Sequence, residues 1–266
     1  MSARIAVLVF PGTNSEDETV RLLRDCGAEA ELVHWSRASE LSRFDAYVLS
    51  GGFAYEDRVR AGAIAAHDRM MDSVVEGARR GKLVLGICNG AQILLEAGLV
   101  PGTASARRPT AAFARNAPYP HFVCRHAFVK LVQPPSRSPI TAGLADGALV
   151  PAWVAHAEGR LAATPEHLDE IVRGGHLLFV YAHADGRVDD AAVPNGSALG
   201  CAGLVNREGN VLAIMPHPER DAWTFMHRVD DPDRAAARLD VGAMLRPSGG
   251  SAFFTAFAAA LGGRRP

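Results

Sequence analysis

Short apolar runs alternate with amphipathic stretches along the first hundred residues of the chain. Arg4–Phe10 is apolar after its first residue, as a parallel strand buried on both faces requires. Asn14 then stands where it can cap a helix running to about Cys26, with Glu16, Asp17 and Glu18 in the first turn, where the helix dipole favours acids. Glu31–Trp35 and Ala46–Ser50 read as further strands, and Gly62–Arg80 predicts a helix closed by Gly81. A strand over Lys82–Ile87 and a helix over about Asn89–Ala97 follow. Repeated strand–helix alternation predicts an α/β fold, a parallel sheet with helices on both faces joined by right-handed crossovers.

Beyond this region the pattern weakens. Thr103–Pro120, rich in Ala, Arg, Pro and Asn, reads as an irregular loop near the site. Ala127–Val132, Leu177–Ala182, Gly203–Asn206 and Val211–Met215 read as later strands, some of them antiparallel. Ser251 can cap a final helix, Ala252–Leu261, whose Phe253, Phe254 and Phe257 are expected to pack on the sheet. With no internal repeat and no evident linker, residues 1–266 are expected to form one domain.

The chemistry concentrates in three segments. In Val84–Gly90 (Val-Leu-Gly-Ile-Cys-Asn-Gly) a cysteine ends an apolar strand inside a Gly-x-Cys-x-Gly frame. That is the pattern of a nucleophile elbow, a sharp strand-to-helix turn on which Gly86 and Gly90 leave room for close packing. A cysteine at a helix N-terminus sits in the positive end of the dipole, which favours the thiolate; alternatively, Cys88 is a small buried core residue. The second segment is Pro216-His217-Pro218-Glu219-Arg220 after the Val211–Met215 strand. The prolines keep it extended, so His217 and Glu219, two apart, point to one side. A cysteine, a histidine to take its proton and an acid to orient the histidine make up an acyl-transfer site. Alone, His-x-Glu also fits a solvated loop. The third segment is Gly51-Gly52-Phe53 at the end of Ala46–Ser50. Adjacent glycines there let backbone N–H groups face the space above the sheet, where open α/β sheets bind ligands; a simple chain reversal would look similar.

Ser50-Gly51-Gly52-Phe53, Gly86-Ile87-Cys88-Asn89-Gly90-Ala91-Gln92 and Pro216-His217-Pro218-Glu219-Arg220 together resemble the three signatures of class I (triad-type) glutamine amidotransferase domains. Val9–Asn14, Arg60–Ala65, Asn89 after the cysteine, Ala155–Gly159 and Pro194–Ser197 narrow the resemblance to the glutaminase subunits of phosphoribosylformylglycinamidine synthase. The resemblance runs in order over residues about 4–220. It implies a flavodoxin-like, mostly parallel open sheet and a Cys88–His217–Glu219 triad that hydrolyses glutamine. It further implies an oxyanion hole of the Gly52 and Asn89 N–H groups, with Gly51 and Gln92 contacting substrate. Gln92 also reads as an ordinary exposed helix residue. Neither metal nor organic cofactor is implied for this chain. Ammonia is expected to pass to a large synthetase subunit that uses ATP and magnesium in purine biosynthesis, with a small accessory subunit as a further partner. Three features depart from the pattern: Ser15 stands where many relatives carry cysteine, Ala54 and Glu56-Asp57-Arg58 alter the stretch after the double glycine, and Trp223–Gly249 reads as an insertion before the terminal helix.

Composition sets limits on partners. A formal charge of −1 and scattered basic residues give no argument for nucleic acid or an anionic membrane. No signal peptide is read at the N-terminus, and no apolar run approaches the ~20 residues of a membrane span. The four cysteines have no Cys-x-x-Cys spacing, so a zinc site or disulfide framework is not expected and the cytoplasm is. His156-Ala157-Glu158 repeats the His-x-Glu spacing and is open to three readings: a metal site, a partner-facing or site-edge pair, or surface residues. Two other functions stay open: a free-standing cysteine amidase or γ-glutamyl hydrolase of the same fold, and a non-catalytic regulatory member.

Overall fold

The computed structural model describes residues 2–103 and 108–262. Among them the strands are β1 (Arg4–Val9), β2 (Glu29–His34), β3 (Ala46–Leu49), β4 (Leu83–Ile87), β5 (Ala111–Ala114), β6 (Val123–Leu131), β7 (Leu149–His156), β8 (Arg160–Ala163), β9 (Leu177–Ala182), β10 (Cys201–Val205) and β11 (Val211–Ile214). The α-helices are α1 (Glu16–Asp25), α2 (Arg69–Arg79), α3 (Asn89–Glu96), α4 (Pro165–Arg173), α5 (Pro232–Ala237), α6 (Val241–Met244) and α7 (Gly249–Gly262).

Nine strands make one sheet in the order β2-β1-β3-β4-β11-β10-β9-β6-β7, and β5 pairs with β8 separately. The run from β2 to β11 is parallel. Its strands β1, β3, β4 and β11 are buried along nearly their whole length, which is why they read as continuous apolar runs. The other four strands extend the sheet through antiparallel pairings. From β1 the chain steps to one side to form β2, whereas from β3 it steps to the other to form β4. Right-handed crossovers therefore put α1 and α2 on opposite faces, and the switch point falls between β1 and β3. The loops after β1, β3 and β4 all open at this C-terminal end. Phe253, Phe254 and Phe257 of α7 are fully buried, Phe253 edge-on to Phe179 of β9.

Several boundaries differ from the sequence reading. Asn14 does not cap α1. Ser15 holds the N-cap position, and its side chain makes no capping bond. The predicted Gly62–Arg80 helix begins only at Arg69, because Asp68 accepts a bond from the Met70 N–H and so caps α2. The residues before it form turns and a short 3-10 segment, Ala65–His67. Helix α7 starts at Gly249, with the Ser251 hydroxyl bonded to the Ser248 carbonyl inside its first turn. The supposed loop Thr103–Pro120 contains β5, whose pairing with β8 lies far away in sequence; residues 104–107 of that stretch lie outside the described residues. Strands β7 and β8 and helix α4 carry no clear periodic signal in the sequence because their half-exposed faces dilute the apolar pattern. The Trp223–Gly249 excursion leaves and rejoins the body at one point. There Trp223 bridges Pro247, and the Thr224 N–H donates to the Arg246 carbonyl at 3.0 Å. No described helix is long and apolar enough to cross a membrane.

Candidate active site

Cys88 links β4 to α3 with φ 52° and ψ −107°, a left-handed backbone that a non-glycine residue adopts only under constraint. The constraint comes from both sides. Its N–H donates to the Ile214 carbonyl of β11 at 2.9 Å, and α3 presses against β3 so closely that a Cβ on Gly90 would lie 2.0 Å from the Leu49 carbonyl oxygen. The elbow geometry expected from Gly-x-Cys-x-Gly is therefore present. The thiol is nearly buried, with its sulfur 3.9 Å from the Ala155 carbonyl of β7.

His217 follows β11 in extended conformation and Glu219 opens a 3-10 turn, Pro218–Asp221. The His217 Nδ1–H donates to Glu219 Oε1 at 2.5 Å, and both side chains are buried. Burial opposes a charged imidazole. The Glu219 carboxylate, and the charge and hydrogen bonding of Cys88, outweigh it and hold the His217 pKa up at about 10. His217 thus stays protonated at neutral pH between a carboxylate and a sulfur. Its backbone is fixed by β7: His217 and Trp153 exchange N–H···O bonds of 2.8 and 3.1 Å. The sheet edge β7 therefore curls back over the corner that holds Cys88 and His217, supplying both the Trp153 bridge and the Ala155 carbonyl.

The double-glycine turn lies against the same imidazole. A Cβ on Gly51 would sit 2.5 Å from His217 Cε1 and 2.9 Å from Ser15 Oγ, so only glycine fits there. Ser15, read from sequence only as a departure, fills the space beneath that turn and accepts a bond from Arg220 at 3.1 Å. The Gly51 carbonyl accepts from the Asn14 and Ser15 N–H groups of the loop after β1, and the Phe53 N–H donates to the Gly12 carbonyl. Gly52 lies between these bonds, opposite Thr13. In such a pair its own N–H points away from the Gly12–Asn14 segment. The Asn89 N–H is one of the first-turn donors that α3 itself cannot satisfy.

Gln92 is not the exposed helix residue that one reading allowed. It is buried, its Oε1 accepts from Asn89 Nδ2 at 2.9 Å, and its Nε2 donates to the Glu158 carbonyl. Its carboxamide is engaged at both ends and ties α3 to the turn after β7. The Asn89 side chain is equally committed, to Gln92, to Asp57 Oδ1 at 3.0 Å and to the Ala54 N–H at 2.9 Å. Asp57 enters the sequence reading only within the Glu56-Asp57-Arg58 departure, and no local pattern marks its link to Asn89.

His156 and Glu158 separate. His156 is not a surface residue: it is buried against Gly159, and neither ring nitrogen has a partner. Burial, with the His217 charge nearby, pushes its pKa down to about 3, so it stays neutral. The Glu158 carboxylate instead accepts from the Ala61 N–H at 3.3 Å and lies 3.6 Å from Arg115. Among the described residues no group of three or more His, Cys, Asp or Glu could hold a metal ion.

Known proteins resemble the chain over most of its length. The model for the CobB/CobQ-like glutamine amidotransferase domain matches residues 2–242. The phosphoribosylformylglycinamidine synthase subunit PurQ of Thermomicrobium roseum is 42% identical over 240 residues, covering 90% of this chain and 96% of that protein. PurQ of Pyrococcus furiosus is 41% identical over 227 residues, covering 85% and 93%. A chain in the PurLQS structure from Thermotoga maritima superposes with a TM-score of 0.74 at 28% identity, covering 97% of this chain and 98% of that one. With the elbow, the switch-point glycines and the buried histidine–glutamate pair in one place, this chain belongs to the glutamine amidotransferase family, among the PurQ subunits of phosphoribosylformylglycinamidine synthase.

Proposed function

We propose that the chain is the glutaminase subunit of a phosphoribosylformylglycinamidine synthase, hydrolysing glutamine and passing the ammonia to a synthetase subunit. The observation that carries this reading is the Cys88 elbow beside a protonated, carboxylate-bound His217. The Cys88 thiolate attacks the glutamine carboxamide carbon. The oxyanion that forms is held by the N–H groups of Gly52 and Asn89, each such donor being worth about 10²-fold or more in rate. His217 then protonates the departing ammonia, leaving a γ-glutamyl thioester. The neutral imidazole next takes a proton from water, which attacks the thioester and releases glutamate, while Glu219 orients the ring throughout.

The chain acts as one domain without a cofactor of its own, with the Trp223–Gly249 stretch an added excursion. ATP and magnesium belong to the synthetase, which converts formylglycinamide to formylglycinamidine ribonucleotide. That subunit, with a small accessory one, is the expected assembly, in keeping with the likeness to a chain of the PurLQS structure. Four unpaired cysteines fit the reducing cytoplasm. Glutamate release is the test, measured for the chain alone and with the synthetase, ATP and formylglycinamide ribonucleotide. Strong stimulation by the mixture is expected. Equal turnover with and without the partner would identify a free-standing amidase instead.

A further inference from the structure

Immediately after the double glycine the chain adopts a conformation that local sequence does not favour. Tyr55, Glu56 and Asp57 have φ of 55°, 59° and 50°, and Val59 has φ 74°. None is glycine, and consecutive left-handed residues are disfavoured for L-amino acids. Something outside the loop must hold it. Tyr55 is held through its hydroxyl, which donates to Asp68 at 2.6 Å, and through its N–H, which donates to the Pro11 carbonyl at 2.7 Å. Asp57 is held by the Asn89 side chain and by the Gly62 backbone.

The Asn89 side chain has two N–H donors and one oxygen, and all are used inside the protein. The donors go to Asp57 and Gln92, and the oxygen takes the Ala54 N–H. One amide therefore joins the first residue of α3 to both ends of the strained loop. The same two segments, the double-glycine turn and the start of α3, supply the N–H groups assigned above to the oxyanion.

We propose that Asp57 is a positioning residue for the glutaminase reaction, acting through the Asn89 side chain to fix the start of α3 against the Gly51–Ala54 turn. The inference rests on the function proposed above. The negative oxyanion exists only after attack on the carboxamide, so a misplaced donor lowers kcat and leaves KM nearly alone. Asp57 is also titratable. It is half-buried, the Glu158 charge acts on it, and Arg58, Arg60 and Arg115 are already engaged by Glu56, Glu96 and Glu158. Burial, with the Glu158 charge adding to it, pushes its pKa up to about 6. Protonation as pH falls through that value weakens the acceptor that Asn89 uses.

The experiment compares wild type, Asp57→Ala and Asp57→Asn in complex with the synthetase. Three readouts are glutamine-dependent kcat and KM from pH 5 to 8, ammonia-dependent synthesis, and iodoacetamide labelling of Cys88. Asp57→Ala should lower glutamine-dependent kcat about 10- to 100-fold with KM within about threefold, leaving labelling and ammonia-dependent synthesis unchanged. Asp57→Asn keeps an acceptor oxygen and tolerates left-handed backbone. It should therefore restore kcat at pH 7.5 to within about threefold of wild type while removing the loss of kcat below about pH 6. An unchanged kcat in Asp57→Ala overturns the proposal. So does a loss shared equally by labelling and ammonia-dependent synthesis, which would mark a folding or docking defect, or an acid limb that persists in Asp57→Asn. A wild-type complex that releases no glutamate would remove the underlying function, and the proposal with it.

Discussion

Two left-handed corners flank the candidate oxyanion site, and they are held by opposite means. The Cys88 corner is clamped by packing: β4 and β11 pair on one side, and α3 approaches β3 on the other until no atom fits at Gly90. The Tyr55–Val59 corner is clamped by polar side chains, Asp68, Asn89 and Asp57, of which the last is half-buried with a raised pKa. Each such residue stores about 1–3 kcal/mol that its surroundings must supply. A corner held by packing breaks when volume is added and ignores pH. A corner held by hydrogen bonds breaks when one partner is lost, and one of its partners titrates.

The largest expected effect separates chemistry from scaffold at the first corner. Cys88→Ala removes the proposed nucleophile and leaves the packing. Glutamine hydrolysis should fall by about 10⁴-fold or more while thermal stability and ammonia-dependent synthesis persist; a parallel collapse of stability would make the thiol part of the clamp. Glu219→Gln comes next, with kcat expected to fall about 10²–10³-fold as His217 loses its orienting charge. It also has a pH signature. Because the His217 pKa is raised from 6.5 to about 10, its contribution to stability is fully present below pH 6.5 and is lost as pH rises through about 10. Melting temperature of wild type should therefore decline over that window, and Glu219→Gln should flatten the decline.

Gly90→Ala tests the packed corner directly. A Cβ 2.0 Å from the Leu49 oxygen forces α3 off the sheet, at about 3 kcal/mol or a drop of roughly 6–12 °C in Tm. The change should be the same at pH 6 and pH 8. The smallest effect belongs to the polar corner. Asp68→Ala removes both the Tyr55 hydroxyl's acceptor and the cap of α2, costing about 1–2 kcal/mol in thermal or urea unfolding. A cost as large as that of Gly90→Ala would mean that the loop, like the elbow, is braced mainly by packing.

The two corners also differ in how far the sequence reveals them. Gly-x-Cys-x-Gly after an apolar run identifies the elbow because strand, turn and helix are consecutive and each glycine answers a local steric need. Pro-His-Pro-Glu is equally local, since an extended backbone alone puts His217 and Glu219 on one side. The Tyr55–Val59 loop has no such signature. Tyr55, Glu56 and Val59 are poor choices for left-handed backbone, and what holds the loop is Asp68 on one side and Asn89, thirty-two residues beyond Asp57, on the other. The intramolecular partners of Gln92 are hidden for the same reason. Nothing near it in the sequence shows that its side chain donates to the Glu158 carbonyl, sixty-six residues away.

The periodic and contiguous features are legible residue by residue: the buried parallel strands, the elbow, the glycine turn and the histidine–glutamate pair. Each follows from backbone sterics or side-chain alternation acting over a few residues. Tertiary structure alone decided what depends on distant chain segments meeting. The curl of β7 that bridges Trp153 to His217, the burial that neutralises His156 while Glu219 and Cys88 keep His217 charged, and the Asp57–Asn89–Gln92 network are of this kind. The reason is physical: pKa values and buried hydrogen bonds depend on desolvation and on the distance to groups that no local pattern specifies.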